Sequence, residues 1–256
     1  MESCTCAAFS FGILSLIMLP FYSLALLVVF LGVVLNLPGS LHINILLLNF
    51  YEPHQALLLT LVFLVLGALA RTIIFWESIT WKETKLLTIY GVLGGFIGGY
   101  FVGIISGKII ALIFIASGFY YVYRFYHKKG THHSHANIFL AGFVTAFLQS
   151  FGVSVGPLRQ GYLFTKGYTL QEVQGTIAIT FLLSGSAMIL ARLLHEEIPF
   201  SVVSPILVLF PFILATVYLA KKALVKIPKH LADKIIIYSL LMSLFASLPK
   251  VIELLK

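Results

Sequence analysis

Long apolar runs joined by short polar loops make up almost all of this chain, and they restrict it to a helical membrane fold. A helix needs about 20 apolar residues to cross the hydrocarbon core of a bilayer. The runs that approach or exceed this length are Phe9–Leu35, Ala56–Phe75, Leu86–Ile105, Ile109–Tyr126, Ile138–Val155, Val173–Leu194, Val202–Ala220 and Ile235–Leu255. They lack the period-two alternation of a transmembrane β-barrel. We therefore predict an all-α, polytopic membrane protein with eight transmembrane segments.

The charge pattern agrees with this prediction and excludes other classes. Only 10% of the residues are charged, whereas soluble domains carry about 25%. The formal net charge of +8 comes mostly from bases in short loops, as is usual in membrane proteins, so nucleic acid is not expected as a partner. The bases between Lys221 and Lys234 favour a cytoplasmic loop at a cell membrane. The expected partners are the lipid bilayer and a small anionic solute, and the sequence leaves a homodimer open.

Two segments do not fit simple spans. Asn36–Asn49 contains Pro38-Gly39, and Ser154–Thr165 contains Gly156-Pro157. Both are too apolar for a solvent loop and too interrupted for a continuous helix, so we predict irregular backbone at membrane depth. Such backbone is tolerated only where protein or a water-filled cavity covers it.

The same two segments align with each other at an offset of 117 residues, which places His42 over Arg159. This favours two homologous four-segment halves, residues 1–127 and 137–256, joined by a polar loop at 128–136. Whether the repeats are parallel or inverted stays open. Interrupted segments at matching positions of two halves are typical of the binding site of a secondary transporter.

The charges inside the apolar runs are bases. None of the nine acidic residues lies well inside such a run, whereas His42 and Arg159 each follow a Gly/Pro interruption. A charge at membrane depth costs about 3 kcal/mol or more, so it is usually functional or paired. With no acid at that depth, an external anion is the expected partner. The lack of deep acids also argues against a carboxylate proton relay.

We predict a substrate site built from these interruptions. A helix that restarts offers free backbone N–H groups and a positive dipole end, and arginine adds a planar fork that suits oxyanions. The candidate substrate-binding residues are Arg159, His42, Gly39, Ser40, Asn36, Asn44, Gln149, Ser150, Ser154, Gly156, Pro157 and Gln160. Three structural alternatives remain: Arg159 snorkelling to the headgroups, His42 as a hydrogen-bonded interior residue, and the neutral polar groups as contacts between helices.

Several motifs are similar to those of a known family. The stretch Gly152-Val-Ser-Val-Gly156-Pro157 is followed by Gly167-Tyr-Thr-Leu-Gln-Glu-Val-Gln-Gly175-Thr176 and Phe181-Leu-Leu-Ser-Gly185. Together with the glycine-rich Gly91–Gly99 segment, this order resembles the TauE/SafE sulfite exporter family. The resemblance implies eight spans in two repeats and transport of small anions, often sulfur oxyanions or organosulfonates. The first half departs from the pattern, with Thr60 preceded by leucine where the family shows Gly-Thr.

Two other functions remain as alternatives. Residues His127, His132, His133 and His135 form a histidine-rich loop, which a divalent metal-ion exporter would use. An intramembrane enzyme would need paired catalytic groups, and none is visible. No Walker motif or cofactor motif is present, so we predict a non-enzymatic transporter without a cofactor. The small-xxx-small spacing of Gly91, Gly95 and Gly99 predicts close helix packing.

Overall fold

The computed structural model describes residues 39–126, 137–153, 156–195 and 200–223, with isolated helical positions at 26–27, 30, 238, 241, 245, 249 and 252–253. The helices in these ranges are α1 (Gly39–Leu47), α2 (Pro53–Ile74), α3 (Trp81–Ile104), α4 (Gly107–Tyr126), α5 (Thr145–Ser150), α6 (Gly156–Thr165), α7 (Leu170–Arg192), α8 (Phe200–Val208) and α9 (Phe210–Ala223). A 3₁₀ turn at Trp76–Ser78 follows α2, and a π-helix at Leu140–Val144 leads into α5. The described residues contain no strand, which confirms the all-α prediction.

Three of these helices are long and apolar enough to cross a membrane: α2, α3 and α7. The apolar stretches Gly107–Tyr120 and Leu140–Ser150 are shorter. The predicted first span, Phe9–Leu35, and last span, Ile235–Leu255, lie almost entirely outside the described residues. The count of eight segments and the division into residues 1–127, 128–136 and 137–256 therefore stay predictions.

Both interrupted segments are helical from their glycines onward, whereas residues 36–38 and 154–155 lie outside the described residues, so irregular backbone at those positions stays a prediction. Helix α1 begins at Gly39, directly after Pro38 in the sequence, and α6 begins at Gly156 with Pro157 as its second residue. Proline fits the first turn of a helix because the N–H that it lacks has no intrahelical partner there. The Gly-Pro pairs mark helix starts.

The predicted span Val202–Ala220 is also divided. Helix α8 ends at Val208 and α9 begins at Phe210, so the helix is interrupted at Leu209. Pro211 explains the break, because its ring would clash with the carbonyl four residues earlier in a continuous helix and it supplies no N–H. The segment is two short helices in sequence.

Helix α3 lies between the π-helix with α5 on one side and α7 on the other, and its glycines make this possible. A Cβ atom at Gly94 would overlap the carbonyl oxygen of Phe143, and one at Gly98 would lie 2.6 Å from Oγ of Ser150. On the other face, a Cβ at Gly95 would lie 2.7 Å from the carbonyl oxygen of Ser184. The predicted close packing is confirmed, and it brings the backbone of α3 against both neighbours.

Candidate functional site

Arg159 is the most deeply buried of the predicted charged residues. It lies on α6 with 2% of its surface exposed. Its Nε donates to the carbonyl of Ala141 at 3.1 Å, and its Nη2 donates to Oγ1 of Thr145 at 2.9 Å and to the carbonyl of Gly142 at 3.5 Å. Ala141 and Gly142 belong to the π-helix, whose widened turn takes carbonyls out of the regular α-helical ladder. The π-helix therefore provides the acceptors that hold the guanidinium.

Arg159 also lies at the middle of the long helices. A Cβ atom at Gly91 would lie 3.8 Å from Nη2 of Arg159 and 3.4 Å from Cβ of Ser184. Gly91 is ten residues into α3, which is about 15 Å along the helix axis. A snorkelling arginine would keep its charged head in water at a span end. The buried position of this guanidinium argues against that alternative.

No carboxylate offsets the charge of Arg159 among the residues that the structure describes. Its recorded partners are two carbonyl oxygens and one hydroxyl. The hydrogen bonds given for the guanidinium within the same residues use Nε and Nη2 and none uses Nη1. Carbonyl dipoles orient a guanidinium but leave its net charge of +1 in place, so the surroundings of Arg159 favour an anion.

His42 lies on the other short helix, α1. It is 3% exposed and sits three residues after Gly39, the first residue of that helix. The equivalent interval separates Gly156 from Arg159 on α6. The two predicted bases therefore occupy the same position on two short helices. His42 makes further contacts inside the protein, which agrees with the alternative of an interior histidine.

Three of the predicted polar residues meet at a small cavity between α1, α2 and the end of α5. The cavity has room for a group about the size of one water molecule, and its lining residues are Asn44, Leu57, Thr60, Leu61, Leu64, Gln149, Ser150 and Gly152. Arg159 and His42 are not part of this lining. The structure thus brings Asn44, Gln149 and Ser150 together but separates them from the two bases.

The remaining predicted residues have different positions. Gln160 is half-buried on α6 and makes contacts within the protein. The backbone of Gly39, Ser40, Gly156 and Pro157 forms the first turns of α1 and α6. Asn36 and Ser154 lie outside the described residues, as does the histidine-rich loop that a metal exporter would use. Within the described part of the chain, no group of three His, Cys, Asp or Glu side chains could hold a metal ion.

The Gly175-Thr176 pair that carried part of the family resemblance has a structural role here. Oγ1 of Thr176 lies 2.6 Å from Oγ1 of Thr80 and accepts a 3.1 Å hydrogen bond from the backbone N–H of the same residue. A Cβ atom at Gly175 would lie 2.9 Å from the carbonyl oxygen of Phe75. The pair holds the start of α7 against the link between α2 and α3.

Several polar residues that contact Arg159 or other parts of α6 were not identified from the sequence. Thr145, which accepts from the guanidinium, had no distinguishing signal. Glu83 is buried in the first turn of α3 and accepts a 2.6 Å hydrogen bond from the phenol of Tyr162, one turn after Arg159. In the loop after α6, burial and then the negative charges of Glu83 and Glu172 raise the pKa of Tyr168. The position of Glu83, three residues before a predicted span, was the one available signal.

Arg192 is a further buried base with a cross-chain contact. Its Nη2 donates to the carbonyl of His54 at 2.9 Å, which ties the end of α7 to the first turn of α2. The sequence placed Arg192 at a span end, where headgroup anchoring is common. Its burial shows that it instead joins two helices.

The comparisons with known proteins give one match. The model of a protein family described as sulfite exporter TauE/SafE matches residues 9–248. No curated protein and no solved structure gives a significant match.

Proposed function

The chain belongs to the sulfite exporter TauE/SafE family, and on that premise we propose that it is a secondary transporter of a small anion, a sulfur oxyanion or an organosulfonate. Membership makes it a membrane transporter or permease. The proposal adds the substrate class, a plasma-membrane location and a mechanism of alternating access around the two short helices α1 and α6.

The observation that carries the proposal is the buried, uncompensated charge of Arg159. The guanidinium is held by carbonyls and a hydroxyl, with no carboxylate partner among the described residues. A lone charge at this depth costs several kcal/mol unless a partner supplies the opposite sign. A small anion that binds there provides that partner and is attracted by the same field. The planar fork suits the oxygens of a sulfite or sulfonate group, which bind arginine side by side.

The spacing of the helices supports the two-half arrangement on which alternating access depends. Gly156 at the start of α6 lies 117 positions after Gly39 at the start of α1, and Leu170 at the start of α7 lies 117 positions after Pro53 at the start of α2. The packing repeats as well, because α3 packs on α7 and α9 packs on α2. Halves related in this way can rock against each other around a site between them.

The test is anion binding by purified protein, followed by flux. Thermal unfolding in detergent is measured with sulfite, 2-aminoethanesulfonate, sulfate and acetate at equal ionic strength, because a ligand that binds only the folded state raises the melting temperature. We expect one sulfur-containing anion to stabilise the protein and Arg159→Lys to abolish the shift, since lysine keeps the charge but loses the fork. The same anion should enter proteoliposomes of the wild-type protein and not of the variant.

Arg71→Lys is the matched control. Arg71 is an arginine near the end of α2 whose Nε donates to the carbonyl of Gly67 on its own helix at 3.3 Å, so its replacement should leave the anion shift unchanged. If the anion still stabilises Arg159→Lys, the guanidinium of Arg159 is not part of the anion site. Stabilisation by acetate alone would replace the sulfur-anion class with carboxylates.

A further inference from the structure

The cavity between α1, α2 and the end of α5 has the wrong polarity for an anion. Two of its lining side chains, Asn44 and Thr60, are each 1% exposed. Oδ1 of Asn44 and Oγ1 of Thr60 have no hydrogen-bond partner within the described residues. A buried oxygen without a partner costs about 1–3 kcal/mol, so two at one cavity indicate that something binds there.

The orientation of the Asn44 amide follows from chemistry. Its Nδ2 lies 3.4 Å from the carbonyl oxygen of Gly152 and donates to it. A carbonyl can only accept, so the nitrogen must face Gly152 and Oδ1 must face away from it. Asn44 therefore offers an acceptor oxygen, which a cation or a hydrogen-bond donor can satisfy.

Thr60 differs from Thr72 and Thr84, two other buried threonines of the long helices. The hydroxyl of Thr72, on the same helix as Thr60, donates to the carbonyl of Ala68 at 2.8 Å. The hydroxyl of Thr84 donates to the carbonyl of Thr80 at 2.9 Å. Such bonds to the preceding turn are the usual solution for a threonine within a helix. Thr60 makes no such bond within the described residues, and its Oγ1 is an oxygen ligand at the cavity.

The local field also favours a cation. Gly152 lies just after the C-terminal end of α5, which is the negative end of the helix dipole. The lining contains no basic side chain. Arg159 contacts Thr145, four residues before Gln149 on α5, so the cavity lies about 6 Å further along that helix. An anion at Arg159 and a cation at the cavity would attract each other.

We propose that this cavity binds a dehydrated monovalent cation of the sodium class, coordinated by Oδ1 of Asn44 and Oγ1 of Thr60, and that this cation accompanies the anion. A divalent ion is disfavoured because the lining supplies no carboxylate, which calcium and magnesium sites use. A buried water also fits a small polar cavity, so the experiment must separate a cation from water. The coupling role rests on the proposed anion transport, whereas the binding site does not.

The first experiment measures cation binding without a substrate anion. Melting temperatures of the purified full-length protein are compared in sodium, potassium and choline chloride at equal ionic strength, with chloride held constant. We expect sodium to raise the melting temperature by several degrees over choline in a saturable manner. The isosteric variant Thr60→Val should lose this shift, and Thr60→Ser, which restores the hydroxyl, should recover it. Thr72→Val is the matched control and should keep the wild-type response, since its hydroxyl only bonds its own helix.

Equal melting temperatures in sodium and choline would overturn the proposal and leave water as the occupant. A sodium shift that survives in Thr60→Val would overturn the ligand assignment. The anion titration, repeated in choline and in sodium, separates this proposal from the proposed function. If the anion raises the melting temperature equally in both salts, anion binding is supported and its coupling to the cation is overturned. If sodium raises the melting temperature but no anion does, the cation site is supported and the anion assignment is overturned.

Discussion

The phenol of Tyr162 donates a 2.6 Å hydrogen bond to Oε2 of Glu83, and this bond fastens α6 to the first turn of α3. Tyr162 follows Arg159 by three residues, so the two side chains leave the same face of α6. The bond therefore holds the helix that carries the guanidinium. Glu83 lies eight residues before Gly91 on α3, which is about 12 Å along the helix axis.

Removing the hydrogen bond between Tyr162 and Glu83 should destabilise the protein. A hydrogen bond to a charged group contributes about 1.5–3 kcal/mol, so Tyr162→Phe and Glu83→Gln should each lower the melting temperature by several degrees. Tyr162→Phe removes the donor, and Glu83→Gln replaces the charged acceptor with a neutral amide oxygen. Because both changes weaken the same contact, the double variant should lose less than the sum of the single losses. Thermal unfolding of the four proteins at one scan rate gives the coupling. Additive losses would show that the contact contributes nothing to stability.

Gly152 should tolerate alanine much less well than Gly167, although both have a positive φ. The angles are +77° and +84°, a region in which a Cβ costs about 1–3 kcal/mol of backbone strain. A Cβ at Gly152 would in addition overlap the ring of Phe114, whereas nothing lies within 4 Å of one at Gly167. Gly152→Ala should therefore abolish folding or lower the melting temperature far more than Gly167→Ala. Equal effects in a thermal unfolding assay would show that only the backbone angle matters.

Gly94 and Gly67 form a second matched pair, both within long helices. A Cβ at Gly94 would overlap the carbonyl oxygen of Phe143 and push α3 away from the π-helix, whereas one at Gly67 meets nothing within 4 Å. Gly67→Ala should be neutral or stabilise the protein by up to about 1 kcal/mol, because alanine is the better helix former. Gly94→Ala should lower both the melting temperature and anion transport. Normal transport by Gly94→Ala would show that anion transport does not depend on the close contact between α3 and the π-helix.

The hydroxyl of Thr145 should matter for anion binding. It accepts from Nη2 of Arg159, and its single O–H faces the carbonyls of Ala141 and Gly142, so Thr145→Val leaves the guanidinium with one hydrogen-bond acceptor fewer. We expect a loss of anion affinity of about tenfold, in keeping with one hydrogen bond to a charged group. Thr180→Val is the control, since that hydroxyl bonds only the carbonyl of Ile177 on its own helix at 3.0 Å. An unchanged affinity in Thr145→Val would mean that the carbonyls alone orient Arg159.

Much of the fold could be predicted because membrane insertion leaves few choices. Apolar runs of span length dictate helices, and the predicted Ala56–Phe75, Leu86–Ile105 and Val173–Leu194 correspond to α2, α3 and α7 within a few residues. The Gly/Pro pairs were predicted as interruptions, and helices α1 and α6 begin at them, but the sequence did not show that the helix resumes directly at each glycine. Proline disfavours a helix interior yet fits a helix start, and sequence pattern alone did not separate these outcomes.

The sequence by itself determined that this is a helical membrane protein of the TauE/SafE family, and that His42 and Arg159 are bases in its two interrupted apolar segments. Only the tertiary structure decided what surrounds them. The carbonyls that hold Arg159 lie 17 and 18 residues away on a π-helix, and the partner of Asn44 lies 108 residues away. Apolar periodicity records which residues avoid water, but it carries no information about which distant backbone groups meet when the helices pack.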